Sequence, residues 1–373
     1  MRNLVILFLL STILFSQLTE ISGYVESEGD GFIIGSPQYF GYNKLRLDLD
    51  AYPTDALTIK ASISSKLFWG KSEWSFGDFM PVSEELASTT YTISDTTNID
   101  FLYSQLDLEW MHLTIGKQPL SMGGGFVWNP TNIFIQKDLL DPSYELVGIN
   151  SFRASLPINK SELDIIIQPN DNLESNIYSA FNTNLFNHNL SLVGLQMNQI
   201  ELNEEFSEES SKVLGLGFST VGEIFGLGIW SEYLLKSDIN FDNPQNEFVI
   251  GGDYTFDFQT YVMLEAFHQD NGAEFNTAYN DIDLLNYVAG NTKALAKDYV
   301  FGMLKHPLGE YSSISLSGIY NYSDNSYIAI PQVDWNPIDN LDLMVSIFKS
   351  VGSEKTEFEV QNIGGRLRMR VYF

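Results

Sequence analysis

The chain has no cysteine in its 373 residues, which excludes disulfides, thiolate metal sites and a lipid-modified N-terminal cysteine. Basic residues are few: 20 Lys and Arg stand against 48 Asp and Glu, a formal net charge of -28. Such a chain has no basic excess with which to neutralise phosphates, so no nucleic-acid partner is expected. Histidine is scarcer, with residues only at 112, 188, 268 and 306. None falls in a metal-ligand spacing or beside an apparent Ser/Asp partner, and Asp281 and Asp283 lack the spacing of a calcium loop. No metal, cofactor or enzymatic activity is therefore expected. Long apolar runs are also missing after the first fifteen residues, whereas helical membrane spans need about 20 continuous apolar residues.

The chain is instead rich in aromatic residues, at 14%, with a mean hydropathy near neutral at -0.07. That pairing suits many strands with one greasy and one wet face. At the N-terminus, Arg2, an apolar run to Phe15 and small or polar residues from Ser16 read as a secretory leader over residues 1–18. Residues 19–373 are then the mature unit, and its first strand follows so closely that neither a plug nor a periplasmic assembly domain is expected.

From Ser22 onward the hydrophobic period is two. Leu45, Leu47 and Leu49 alternate with Lys44, Arg46, Asp48 and Asp50, and Leu57, Ile59, Ala61 and Ile63 with Thr58, Lys60, Ser62 and Ser64. At the end Ile363, Gly365, Leu367, Met369, Val371 and Phe373 oppose Arg366, Arg368, Arg370 and Tyr372. Each stretch is about long enough to cross a bilayer at a tilt. Connections alternate short and long, with tight turns near 52–55, 110, 159–160 and 338–339 at one end and longer external segments at the other, at 71–97, which reads as a polar external loop, 126–147 and 271–296. About eighteen strands result, the first over 21–28 and the second from 39, with sixteen as the other even count. No fixed repeat length argues for a propeller or solenoid. The fold expected is all-β: a transmembrane antiparallel β-barrel with one long loop folded into its lumen.

That loop follows Gly116-Lys117-Gln118, the glycines 123 to 125, and Trp128-Asn129-Pro130-Thr131-Asn132. The glycines permit a sharp change of direction or close backbone approach. Phe126, Trp128, Phe134 and Tyr144 make the loop too apolar to extend into water, so it should pack inside the barrel. The run resembles a functionally mixed group of porin-like outer-membrane barrels, distantly of the alginate-export type. It departs in Met122, where tryptophan is common, and Asn132, where aspartate is. The terminal strand ending in Phe373 resembles the closing strand of bacterial outer-membrane barrels. These resemblances imply an outer-membrane location, contact with membrane lipid, recognition of Phe373 by the barrel assembly machinery, and the possibility of a homo-oligomer.

Candidate pore-lining residues are the inward-parity cations Lys44, Arg46, Lys60, Arg153, Arg366, Arg368 and Arg370, together with Trp128, Asp138, Asp141 and Glu145 of the loop. Closure of the ring would set the three terminal arginines beside Glu26 and Glu28. Two readings stay open: ion pairs that brace the wall, or a basic ladder facing loop acids across a pore. The function expected is passive diffusion of small hydrophilic solutes or ions. The alternatives are a facilitator for acidic oligosaccharides, a structural or surface-attachment barrel, and an outer-membrane hydrolase.

Overall fold

The computed structural model describes residues 19–373 apart from 35, 136, 138–140, 142–143, 146, 171–173, 204–206 and 360–362. The expected leader 1–18 and Asp138 lie outside the described residues. Eighteen strands form one closed antiparallel sheet. The first three are β1 (Thr19–Ile34), β2 (Ser36–Thr54) and β3 (Leu57–Gly70); a small separate hairpin, β4 (Glu73–Ser75) with β5 (Thr90–Thr92), follows. The wall resumes with β6 (Thr96–Leu108), β7 (Met111–Gln118), β8 (Ile149–Ile158), β9 (Ser161–Pro169), β10 (Ser175–Leu185) and β11 (His188–Leu202). It continues through β12 (Glu208–Ile224), β13 (Leu227–Asp238), β14 (Gln245–Thr255) and β15 (Tyr261–Gln269). The last five strands are β16 (Asp298–Pro307), β17 (Ser312–Asn321), β18 (Ser326–Ile338), β19 (Leu341–Val351) and β20 (Ile363–Tyr372). β1 pairs with both β2 and β20, so the ring has no free edge.

The count is eighteen, not sixteen, and the period-two pattern sets the two faces. On β20 Leu367, Met369 and Val371 are exposed on the outer surface, while Arg366, Arg368 and Arg370 turn inward and are largely covered. Leu192, Leu216 and Leu264, likewise exposed, extend the apolar outer belt around the wall. The tight connections lie at one end. Asn159, Asn187, Asn340 and Gly226 hold the left-handed backbone there, which two-residue hairpin turns require. The long connections lie at the other end, where β1–β2 and β17–β18 are the short exceptions, joined between Ile34 and Ser36 and between Asn321 and Ser326.

Two expectations need correction. β1 does not end at residue 28: it runs in register with β2 as far as Ile34↔Ser36, because Gly29 and Gly31 continue the two-residue alternation with Asp30 and Phe32 instead of making a turn. The segment 71–97, expected as a polar external loop, folds inward as well. Trp74 is buried and packs with Phe79 on the inward rings of Phe32 and Phe40. The 270–297 connection, carrying a helix at Asp281–Val288, joins it. Ser83 donates to Asp281 through its backbone N–H at 2.9 Å and its hydroxyl at 2.5 Å. Leu284, Ala294, Leu295 and Ala296 are buried in the same apolar cluster.

Candidate functional site

The loop after β7 crosses the lumen from one wall to the other. Its start is held by two glutamates that the sequence did not single out, Glu232 on β13 and Glu265 on β15, both about 1% exposed. Glu232 accepts from the backbone N–H groups of Gly124 at 2.6 Å, Gly125 at 2.8 Å and Thr131 at 3.0 Å, from the Thr131 hydroxyl at 2.6 Å and from Asn129 Nδ2 at 3.0 Å. Glu265 accepts from the N–H groups of Phe126 at 2.5 Å, Val127 at 2.8 Å and Trp128 at 3.1 Å, and from Trp230 Nε1 at 2.7 Å. A buried carboxylate stripped of such donors would be strongly destabilising, and successive backbone N–H groups converging on an anion are a known solution.

The three glycines follow from this contact. A Cβ on Gly123, whose φ is +78°, would sit 2.3 Å from Glu232 Oε1; on Gly124 it would sit 2.1 Å from Val221 Cγ2, and on Gly125 1.9 Å from the Trp128 carbonyl oxygen. Lys137 closes the turn by donating to the carbonyls of Gly125 and Phe126, each at 2.8 Å. Lys293, from the 270–297 connection, donates to the Asn132 carbonyl.

The far end of the loop meets the barrel seam. Register places Asp30 opposite Arg366, Glu28 opposite Arg368 and Glu26 opposite Arg370. The corresponding ion pairs measure 2.8, 2.5 and 2.6 Å. Loop carboxylates add a second layer. Asp141 lies 2.9 Å from Arg368, and Glu145 lies 3.0 Å from Lys44 and 2.7 Å from Arg46. Tyr24 donates to Glu145 at 2.6 Å, and both Tyr42 and Tyr144 donate to Glu26 at 2.9 Å. The cations also stack on rings, with Arg368 4.7 Å from the Tyr144 centroid and Arg370 4.3 Å from that of Tyr24.

Beside this cluster, toward the tight-turn end, lies a cavity of about 330 Å³. Its lining includes Tyr144, Glu145, Asp334, Asp342, Arg368 and Arg370. Asp342 is met there by Tyr372 Oη at 3.0 Å and by the Asn336 amide, both neutral donors. Asp334 has Gln332 Nε2 at 2.8 Å and, more distantly, Lys305 Nζ at 3.8 Å.

The candidates named from the sequence thus separate into groups. Lys44, Arg46, Arg366, Arg368, Arg370, Asp141 and Glu145 meet in the seam cluster. Lys60 pairs apart from it with Asp50 at 3.1 Å, and Arg153 makes a two-pronged contact with Asp164 at 3.0 Å. Trp128, expected to line the passage, is packed away from it: it is 1% exposed and stacks on Phe267 at 5.2 Å, because Glu265 draws its backbone into the wall. Asp138 lies outside the described residues. Glu232 and Glu265 were missed, although Glu265 is the one acid of β15 and Glu232 stands at inward parity between Trp230 and Leu234 on β13. Of the histidines, His112 contacts Asp107 at 2.7 Å and His306 contacts Thr260 at 2.8 Å. His268 lies between Asp298 at 2.7 Å and Asp270 at 3.1 Å.

No protein-family model and no curated protein matches the sequence. Solved structures do match in fold. The outer membrane protein OpdK from Pseudomonas aeruginosa is 7% identical with a TM-score of 0.60, over 96% of this chain and 99% of that one. Acinetobacter baumannii OccAB4 is 8% identical with a TM-score of 0.59, over 95% and 98%. A structure of P. aeruginosa OpdK with vanillate is 8% identical with a TM-score of 0.58, over 95% and 98%.

Proposed function

We propose that this barrel is a channel of the bacterial outer membrane that admits small hydrophilic solutes or ions by passive diffusion. One observation carries the reading: a closed ring with an apolar outer belt encloses a charged interior, and a cavity of about 330 Å³ adjoins the loop that crosses it. Charged groups on the inner face are affordable where water, opposite charge or hydrogen-bond donors meet them, whereas a central Arg on the lipid face costs about 2–4 kcal/mol. The likeness to outer-membrane barrels of Pseudomonas and Acinetobacter supports this reading through its fold. The solute class is drawn from this chain's own lumen. OpdK was solved with vanillate, a carboxylate; here the three ladder arginines already face carboxylates, which disfavours a dedicated anion path.

The resemblance to alginate-export barrels rests on the motif alone. Rings and cations do meet in the lumen, as an acidic oligosaccharide would require, but Arg368 and Arg370 are engaged both by rings and by carboxylates. The packed 71–95 and 270–297 connections favour a second reading, a structural barrel whose mouth is sealed. Planar-bilayer recording separates the two. Stepwise conductance from a barrel with heat-modifiable mobility is the expected result, and a heat-modifiable barrel that never conducts would leave the structural reading in its place. Recognition of Phe373 by the assembly machinery is part of the proposal; its ring is exposed beyond the Gly23 backbone pair, and Phe373→Ala should slow assembly in cells.

A further inference from the structure

We infer that Glu232 and Glu265 set the bore of the channel, by holding the glycine run of the crossing loop against the wall. The inference rests on the diffusion-channel reading and names the residues that govern how far the loop narrows the lumen.

Neither side chain is needed to join the strands. Glu232 sits opposite Ser219 and Val249, and Glu265 opposite Gly251 and Phe301, through backbone pairing alone. Apart from one bond that Glu265 accepts from Trp230 Nε1 in the wall, their carboxylate oxygens are committed to the loop, which supplies eight hydrogen bonds, six of them from backbone N–H groups. Those peptide groups would be buried and unsatisfied without the carboxylates, so removing the acceptors favours release into water over a looser dock. The carboxylates in turn would be anions in an apolar wall without the loop. Each side requires the other, which makes docking close to all-or-none.

The loop's two attachments lie on opposite walls. β13 and β15 stand seven and five strands from β20 around the ring, while Asp141 and Glu145 reach the seam of β20, β1 and β2. The loop is therefore tied to two walls, at its start by Glu232 and Glu265 and, through Asp141 and Glu145, by the arginine cluster. The seam end is built from long, partly wet side chains; the glutamate end is dry and made by backbone. Releasing the dry end leaves the loop tied at the seam alone, free to move toward it and open the section beside β13 and β15.

The test uses Glu232→Gln/Glu265→Gln, which keeps side-chain shape and removes the anionic acceptors. In a barrel that keeps its heat-modifiable mobility, single-channel conductance should rise severalfold. A second pair of substitutions separates docking from general weakening of the wall. An ideal Cβ at Gly124 lies 3.6 Å from Val221 Cβ, inside the ~3.5–4.5 Å span of a disulfide, and in a cysteine-free chain G124C/V221C would form the only one. Added to the glutamine variant and oxidised, this pair should return conductance to the parent level, and reduction should raise it again. Unchanged conductance in the folded glutamine variant, or a rise that the disulfide does not reverse, overturns the inference. If the double variant does not fold, Glu265→Gln alone carries the same test: a rise that the disulfide reverses supports the inference, and an unchanged conductance overturns it. A parent barrel that never conducts defeats the channel reading itself, an outcome distinct from a conducting parent whose conductance the glutamines leave unaltered.

Discussion

Gly123 shows how narrowly the loop's dock is drawn. Its left-handed φ of +78° and the 2.3 Å approach to Glu232 Oε1 both exclude a side chain. Gly123→Ala should cost about 1–2 kcal/mol from the backbone alone and more from displacing the carboxylate. A lower temperature for the heat-modification step would register it, and an unchanged step would show that the dock tolerates a methyl group. At the mouth, Glu357 is a second sensitive residue. It accepts from Tyr299 at 2.6 Å and Asn321 at 2.7 Å, while its backbone N–H donates at 2.8 Å to Asp324, which Tyr279 also meets at 2.8 Å. Burial pushes the Glu357 carboxyl up to about 7; the Tyr299 and Asn321 hydrogen bonds pull the other way, and the Asp324 charge adds to the rise. A folded pKa above the ordinary value of 4.5 means that the docked loop holds a proton which the undocked loop gives up. Docking of the loop after β19 is therefore fully supported below about 4.5 and loses that support as pH rises through about 7. Amide protection factors at Thr356 and Glu357 should be higher at pH 5 than at pH 8, and Glu357→Gln should flatten the difference.

At the scale of elements, the seam was largely legible. Alternation placed Arg366, Arg368 and Arg370 on one face, and closure required β20 to lie beside β1, so Glu26 and Glu28 followed as partners; Asp30 was lost only because β1 was ended too early. The crossing loop was legible as a packed glycine-bearing segment, but its receptors were not. A two-residue period says that Glu232 and Glu265 face inward without saying which segment, 101 to 139 residues away, meets them. The mouth was misread because Glu84 and Glu85 dominate the look of 71–97, while Trp74, Phe79 and Met80, which do the packing, are spaced without either regular period. The seam also yields a test of whether its pairs act as units. Breaking one partner of a covered ion pair leaves an uncompensated charge, about 3–5 kcal/mol in soluble proteins, while removing both costs far less. Arg368→Gln should therefore lower the heat-modification temperature more than Glu28→Gln/Arg368→Gln does. Equal losses would mean that Asp141 and Glu26, rather than Glu28, define the environment of Arg368.

Over the whole molecule, two charge populations compete to decide what passes. The ladder cations are close-paired: Arg366, Arg368 and Arg370 each have a carboxylate within 2.8 Å, and Glu145 joins Lys44 and Arg46. Their field at a distance is correspondingly small. Asp342 meets neutral donors, and Asp334 has a lysine only at 3.8 Å, so the uncompensated charge of the turn-side cavity is negative. At the opposite mouth, Glu84, Glu85, Glu208 and Glu209 are exposed, and physiological salt screens them within about 8 Å. Both ends therefore favour cations, weakly and in a salt-dependent way. Reversal potentials in a potassium chloride gradient should show modest cation selectivity at low salt that fades as salt rises. Asp334→Asn/Asp342→Asn should reduce it, because those acids lie in the lumen. Neutralising Arg366, Arg368 and Arg370 together in a barrel that still folds should increase it, by freeing Glu26, Glu28 and Asp30. Anion selectivity in the parent would refute this balance of charge, and a triple variant with unaltered reversal potential and conductance would make the ladder a brace that lies off the conducting path.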